Sequence, residues 1–204
     1  MGGRRKQGRS TGRLTLTQLV ITGTTPLLCH NPQLADPDNK WVREIATITG
    51  KRKKTEDDRL AISKLEWYGG LYTAPGITGP AYPTANIRKC IIQAAKVNKL
   101  GRAVERAVMF TKLHVSLDCG KERNLDALFA NPDHLHRASV GINASRTMRT
   151  RPMFPAWSLA AEIVIITQLL DMDDFKRLAA LAGQIEGLGD NRVNGYGRFT
   201  VEIK

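Results

Sequence analysis

The densest chemical signal in the chain lies at residues 187–199: Gly187-Leu188-Gly189-Asp190-Asn191-Arg192-Val193-Asn194-Gly195-Tyr196-Gly197-Arg198-Phe199. Four glycines in eleven residues permit positive φ and close backbone approach, and exposed N–H groups beside Arg192 and Arg198 can line a phosphate path. The order here is helix, glycines, strand. A dinucleotide fingerprint runs the other way, and no Walker lysine is present. A helix cap at Gly187 followed by an ordinary turn is the plainer alternative.

Other residue types could carry acid–base or metal chemistry. His30, Asp36 and Asp38 fall in one proline-rich loop and could activate a 2′-hydroxyl or hold a metal ion. Beside Pro37 the two aspartates read more simply as turn formers, with His30 a packed or polar loop residue. His134 and His136 with Cys119 match no zinc spacing, so neither a metal nor a cofactor is expected. The 3 cysteines, Cys29, Cys90 and Cys119, are odd in number and form no Cys-x-x-Cys pair. They read as core thiols of a chain in the reducing cytoplasm.

The location of the charge says more than its size. Lysine and arginine number 31 against 19 acids, a net of +12, and three stretches contain no acid at all. These are residues 1–13 with Arg4, Arg5, Lys6, Arg9 and Arg13; Lys51-Arg52-Lys53-Lys54; and residues 137–151 with Arg137, Arg146, Arg149 and Arg151. The remainder of the chain is nearly balanced. Cations concentrated in segments on a neutral body predict a polyanion partner, nucleic acid above all, since no basic stretch has the apolar face that membrane insertion needs. No run approaches a membrane span, no secretory signal is recognisable, and Lys6 breaks the myristoylation pattern.

With 204 residues, 42% of them apolar, the chain can bury a real core. Residues 13–22 alternate Leu14, Leu16 and Val20 against Thr15 and Thr17, the period of a strand. Residues 24–83 form an insertion. Within it lie short helices at 41–48 and after Thr55, the latter with Ala61, Leu65 and Tyr68 in register, and an irregular, glycine- and proline-rich stretch at 69–83. A helix capped by Thr84 covers 85–98 with Ile87, Ile91 and Ala94 inward, then a second strand covers 107–117. Residues 118–156 lack sustained periodicity and form a second insertion. A third strand follows at 157–167, then a helix with Phe175, Leu178, Ala179, Ala182 and Ile185 as its apolar stripe, and a last strand at 198–204. Strand, helix, strand, strand, helix, strand predicts an α+β fold of ferredoxin-like (RRM-like) βαββαβ type. The expected organisation is a basic arm at 1–12 and a single domain at 13–204 with insertions at 24–83 and 118–156.

The whole C-terminal element, helix, Gly-x-Gly, five residues, Gly-aromatic-Gly and strand, resembles the glycine-rich loop of the RAMP superfamily, the repeat-associated proteins of CRISPR effector complexes. Within it the likeness is nearest to the backbone subunits that line up along guide RNA. Tyr82-Pro83-Thr84-Ala85-Asn86-Ile87-Arg88 is similar to that family's proline-led turn into its first helix, with Arg88 as the basic residue on the helix. The insertion at 118–156 matches the family's thumb. The resemblance implies a small stand-alone relative, phage-encoded, that binds single-stranded RNA or DNA through its phosphates and assembles as a homo-oligomer, side by side along the strand. Arg137, Arg146, Arg149 and Arg151 would then reach phosphates from the thumb, and Lys51, Arg52, Lys53 and Lys54 would add electrostatic reach. Gly189, Arg192, Gly195, Tyr196, Gly197 and Arg198 would lie against the backbone of the ligand. Tyr196 and Trp157 are candidate stacking platforms. No catalysis is expected; an RNA endonuclease and a phage factor that binds a host protein complex are the alternatives. Exposed arginines contribute little to stability, so replacing Arg146 and Arg149 should leave it unchanged.

Overall fold

The computed structural model describes residues 13–142 and 145–204. The predicted basic arm at 1–12 lies outside the described residues. In chain order the elements are β1 (Leu14–Gly23), β2 (Leu27–Leu28), α1 (Lys40–Thr49), α2 (Glu56–Gly70), β3 (Ala81–Pro83), α3 (Thr84–Val97), α4 (Gly101–Ala107) and β4 (Val108–Phe110). Then follow β5 (His114–Asp118), α5 (Leu125–Ala130), β6 (Leu135–Ile142), β7 (Ser145–Phe154), β8 (Ser158–Ile166), α6 (Met172–Ile185) and β9 (Phe199–Ile203). The class is α+β, as the sequence predicts. No helix among the described residues is long and apolar enough to cross a membrane.

One antiparallel sheet runs β3-β5-β8-β1-β9, with β4 also paired to β8. Leu19 and Ile21 of β1 and Leu159, Ala161, Ile163 and Ile165 of β8 share a core with Ile87, Ile91 and Ala94 of α3 and Phe175, Leu178, Ala179 and Ala182 of α6. Helices therefore cover one face only. The phase of β1 is the reverse of the predicted one: Leu14 and Leu16 are 63% and 62% exposed on the uncovered face. There they pair with Ile166 and Val164 of β8, so apolar alternation on this strand marks a cross-strand ladder outside the core.

The predicted second strand is two. Val108 is buried in β4 and Val115 and Leu117 in β5, whereas Met109 and Leu113 are exposed, so the alternation changes phase between them. Thr84 explains the break. It does not cap α3, whose N-cap is Pro83; its hydroxyl donates to the carbonyls of Lys112 and Leu113 and its amide to Leu113, pulling that segment out of the ladder. On α6, Ile185 is exposed and Gly183 buried, so the stripe ends one turn earlier than predicted.

Both insertions are more ordered than their sequences suggest. The stretch at 69–83 includes β3, which pairs with β5. Residues 118–156 contain α5 and the β6–β7 hairpin, which with β2 forms a separate three-stranded sheet. That hairpin escapes a periodicity search because polar partners bury it: Thr150 meets Ser63 of α2, oxygen to oxygen, at 2.8 Å, and the Trp67 indole N–H donates to the carbonyl of His134 at 2.8 Å. The inward side of α2 accordingly carries Ser63, Glu66 and Trp67, not the predicted Ala61, Leu65 and Tyr68.

Candidate nucleic-acid interface

The capping box of α2, Thr55 and Asp58 exchanging backbone hydrogen bonds, fixes where the Lys51–Lys54 run ends and where Arg59 points. Two turns further, Glu66 is buried against β7. Its Oε1 lies 2.6 Å from Arg149 Nη1, and its Oε2 accepts the Thr150 amide at 2.8 Å. The hairpin register sets Ala138 opposite Arg149, Arg137 opposite Thr150 and His136 opposite Arg151. Between α2 and the hairpin opens a groove of about 390 Å³ that Lys54, Arg59, Arg137, Thr147 and Arg149 line. Two of the three predicted basic runs thus meet in one groove.

The groove does not end there. Glu66, Arg149 and Thr150 also line a neighbouring cleft of about 540 Å³, which continues to Arg151 and His30. His30 in turn borders a cleft of about 370 Å³ between α3 and the glycine loop. That cleft shares Glu186, Gly189, Asp190 and Arg192 with a last groove of about 440 Å³, which ends at Arg198. Cations from segments far apart in sequence therefore line a series of clefts that share wall residues.

In the glycine loop the backbone is spent on the fold. The amides of Leu188, Asp190 and Gly197 donate to the carbonyls of Gly197, Leu28 and Pro26, that of Gly189 to the Tyr82 hydroxyl, and that of Arg198 to the Thr25 hydroxyl. The predicted row of free N–H groups along a phosphate path is not found at these positions. Gly189 and Gly197 have φ of +77° and +70°, and a Cβ on either would collide with a carbonyl, Leu28 O or Leu188 O. Close packing explains these glycines; of the arginines, Arg192 lies 3.8 Å from Glu186 and Arg198 Nη2 donates to the Arg192 carbonyl at 3.2 Å. The Tyr82–Gly189 bond also joins the two sequence motifs, Tyr82–Arg88 and the glycine loop, at a distance of 2.9 Å.

Where hairpin and glycine loop meet, Arg151 Nε stands 3.0 Å from Asp190 Oδ2, an ion pair without hydrogen-bond angles. The His136 ring meets Tyr196 edge-on, with centroids 5.6 Å apart. His136 Nδ1 and Arg198 Nη1 are buried without a hydrogen-bond partner among the described residues, although such atoms are normally satisfied. Burial holds His30 below the ordinary histidine range; Asp190 opposes this, and Arg151 and Arg149 reinforce it. His136 is lowered by burial and by Arg151 against the opposing pull of Asp190. Both rings are therefore neutral at pH 7, between cations.

Several predicted residues lie elsewhere or do other work. Arg88 donates from Nε to the Val108 carbonyl at 3.2 Å and from Nη2 to the Glu105 carbonyl, closing the end of α4. Lys51 pairs with Asp58 at 2.6 Å, Arg52 and Lys53 are exposed, and Arg146 is exposed opposite Gly141, lining none of these clefts. Gly195, at φ +85°, accepts from the Thr25 hydroxyl. Trp157 is no stacking platform: it is buried against Phe199, its indole donating to the Thr25 carbonyl at 2.8 Å. Asp36 Oδ1 accepts the Asp38 amide at 2.9 Å and Asp38 pairs with Arg43 at 3.2 Å, the turn chemistry expected of them. His134 Nδ1 contacts the Met153 carbonyl at 2.9 Å. Among the described residues no three His, Cys, Asp or Glu side chains converge as metal ligands. Burial raises all three thiols, Cys90 to about 12, which leaves them unreactive.

The sequence reading missed Arg59, Lys89 and Glu66. Arg59 follows three acids at the start of α2 and Lys89 sits beside Arg88 on α3, and nothing in either segment distinguishes them from solvent-facing cations. Glu66 carried a faint signal, an acid in the last turn of a helix, where a free carboxylate is unfavourable and a cationic partner is needed.

No protein-family model and no curated protein matches the chain. Among solved structures, it is similar to a chain in the cryo-EM structure of the Type III-B Cmr-beta bound to cognate target RNA, with a TM-score of 0.49 and 14% sequence identity. The match covers 94% of this chain and 60% of that one, so this chain spans less than two thirds of its length.

Proposed function

We infer that the protein binds single-stranded nucleic acid by its phosphates along the path of adjoining clefts from Lys54 to Arg198. The observation that carries this reading is the convergence of Lys54, Arg59, Arg137, Arg149, Arg151, Arg192 and Arg198 on adjoining clefts. A rigid duplex presents a convex cylinder that does not enter a string of such clefts, whereas a flexible strand threads them. The spatial order β9-β1-β8-β5, with α3 and α6 behind, supports a ferredoxin-like core, and the joining of the Tyr82 and glycine-loop motifs supports a RAMP-type relation. In this reading the hairpin acts as the thumb, and copies assemble side by side on a long strand.

Binding proceeds without cleavage. Asp190 faces Arg151 and Asp36 and Asp38 are occupied with their own turn, which leaves His30 without a free aspartate to act with it. Incubation with labelled RNA, with and without divalent metal, should return intact RNA; cleavage lost in His30→Ala would replace this reading with the endonuclease.

Binding itself is tested by titrating a labelled single strand and the matching duplex at several salt concentrations. The single strand should bind tightly at low salt, with log K falling against log salt by about 0.7 per phosphate contact. Lys54→Ala with Arg137→Ala should weaken binding to all sequences alike and flatten that slope. Equal affinity for duplex, or a double variant with full affinity, refutes the path. Light scattering should show larger particles with long strands than without them.

A further inference from the structure

The cleft between α3 and the glycine loop differs in character from the rest of the path. The hairpin groove sets Lys54, Arg59, Arg137 and Arg149 against the single acid Glu66. In the α3 cleft, Arg192 Nη1 lies 3.8 Å from Glu186 Oε2 and Asp190 is paired with Arg151, which leaves Lys89 beside two acids already engaged. The phosphate contact of Arg192 falls in the adjoining groove that it shares with Arg198. The interior of the α3 cleft, with fewer free cations than the hairpin groove, suits a polar group, and its side chains include two amides.

Asn86 and Gln93 stand seven residues apart on α3, two helical turns, and so project on one side of the helix into the cleft, with Lys89 between them. Asn86 Nδ2 reaches the Tyr72 hydroxyl at a long 3.5 Å, and Gln93 and Lys89 have no hydrogen-bond or ion-pair partner among the described residues. The two amide oxygens and the Glu186 carboxylate supply acceptors, and the Gln93 amide nitrogen and Lys89 supply donors. Behind them Tyr72 and Tyr82 meet edge to face at 5.7 Å and give an aromatic wall, with Tyr82 fixed by the Gly189 amide. A cleft of about 370 Å³ with interleaved donors, acceptors and an aromatic side is ample for one flat heterocycle.

We propose that this cleft takes one amino-bearing base, adenine or cytosine, from the strand bound along the path. Each offers a donor and an acceptor side by side, the exocyclic amine and a ring nitrogen, and side-chain amides satisfy both at once; adenine serves as the probe. Uracil and thymine have no exocyclic amine, and in their place the Glu186 and amide oxygens would face a carbonyl. The proposal rests on the strand-binding reading above and adds base selection to it: the hairpin end grips phosphates without regard to sequence, and the α3 end reads one position.

The experiment uses three labelled single strands: uridine throughout, the same strand with one central adenine, and the same strand with purine, which is adenine without the 6-amino group. The wild-type protein should bind the adenine strand about tenfold or more tighter than the uridine strand, and the purine strand should fall back to the uridine level. Asn86→Ala and Gln93→Ala should abolish that difference, with the uridine affinity and its salt slope unchanged; both substitutions favour the helix, and the purine strand makes the same test without altering the protein. Equal salt-dependent affinity for all three strands overturns the base site and leaves the strand-binding reading standing. Adenine preference that survives both substitutions, or loss of uridine binding in them, also overturns it. Failure of every strand to bind at low salt refutes both.

Discussion

Glu66 holds the hairpin at two consecutive residues: one carboxylate oxygen meets the Arg149 guanidinium at 2.6 Å and the other accepts the Thr150 amide at 2.8 Å. Arg149 is thus a stability residue as well as a phosphate ligand, against the expectation that its loss leaves stability unchanged. Arg149→Ala strands a buried carboxylate and should cost about 1–3 kcal/mol. Arg146→Ala should cost little, since Arg146 is exposed and makes no ion pair among the described residues. Glu66→Gln combined with Arg149→Ala should recover most of the loss, because no unpaired charge remains. Urea melts of the three variants decide; a fully stable Arg149→Ala protein would show that the pair adds nothing.

Two glycines separate packing from backbone freedom. Gly197→Ala combines a left-handed backbone with a collision against Leu188 O and should destabilise by roughly 3 kcal/mol or more. Gly195 has a similar φ but nothing near its missing Cβ, so Gly195→Ala should cost about 1 kcal/mol. Equal melting temperatures for the two variants would contradict the close approach at Gly197.

Arg88→Ala should lower stability by about 1 kcal/mol, the usual worth of such hydrogen bonds, and leave nucleic-acid affinity and its salt slope untouched. A flattened slope in this variant would return Arg88 to the binding surface.

Acid should act with opposite signs on stability and binding. His30 and His136 resist protonation in the folded protein, whereas unfolded histidine titrates near ~6.5. The unfolded chain therefore takes up more protons as pH falls through that value, so these residues' contribution to stability is full above it and declines below it. Strand affinity should rise at lower pH, where the folded rings in turn take up their protons and each adds a cation near Arg151. Melts between pH 7 and 5.5, with and without oligonucleotide, check both; replacing both histidines by Gln should remove most of each effect.

Much of the fold is legible in the sequence because burial there follows periodicity. Phe175, Leu178, Ala179 and Ala182 of α6, and Ile87, Ile91 and Ala94 of α3, stand where their spacing places them. Failures occur where something other than core burial sets the pattern. Leu14 and Leu16 pair across strands on the open face, and the β7 side chains are satisfied by Ser63 and Glu66 from a distant helix. The same limit applies at the site. The basic runs and the glycine loop are visible in the sequence, but composition cannot tell Arg88, turned onto carbonyls, from its neighbour Lys89 in the cleft. Nor does glycine content separate loops that offer amides from loops that use them internally.

The position of β1 between β8 and β9 also governs how the molecule is made. Thr25 bonds to Gly195 and Arg198 across 170 residues or more, and Gln18 exchanges backbone hydrogen bonds with Lys204. Nothing local can satisfy this first strand. Until β8 emerges more than 130 residues later, Leu14, Leu16, Leu19 and Ile21 wait unpaired in a nascent chain, and one edge of β1 at Leu19–Gly23 stays open until β9 follows, an aggregation-prone interval. Folding should be slow, in the millisecond-to-second range of non-local β topologies, and recovery from denaturant should fall as protein concentration rises.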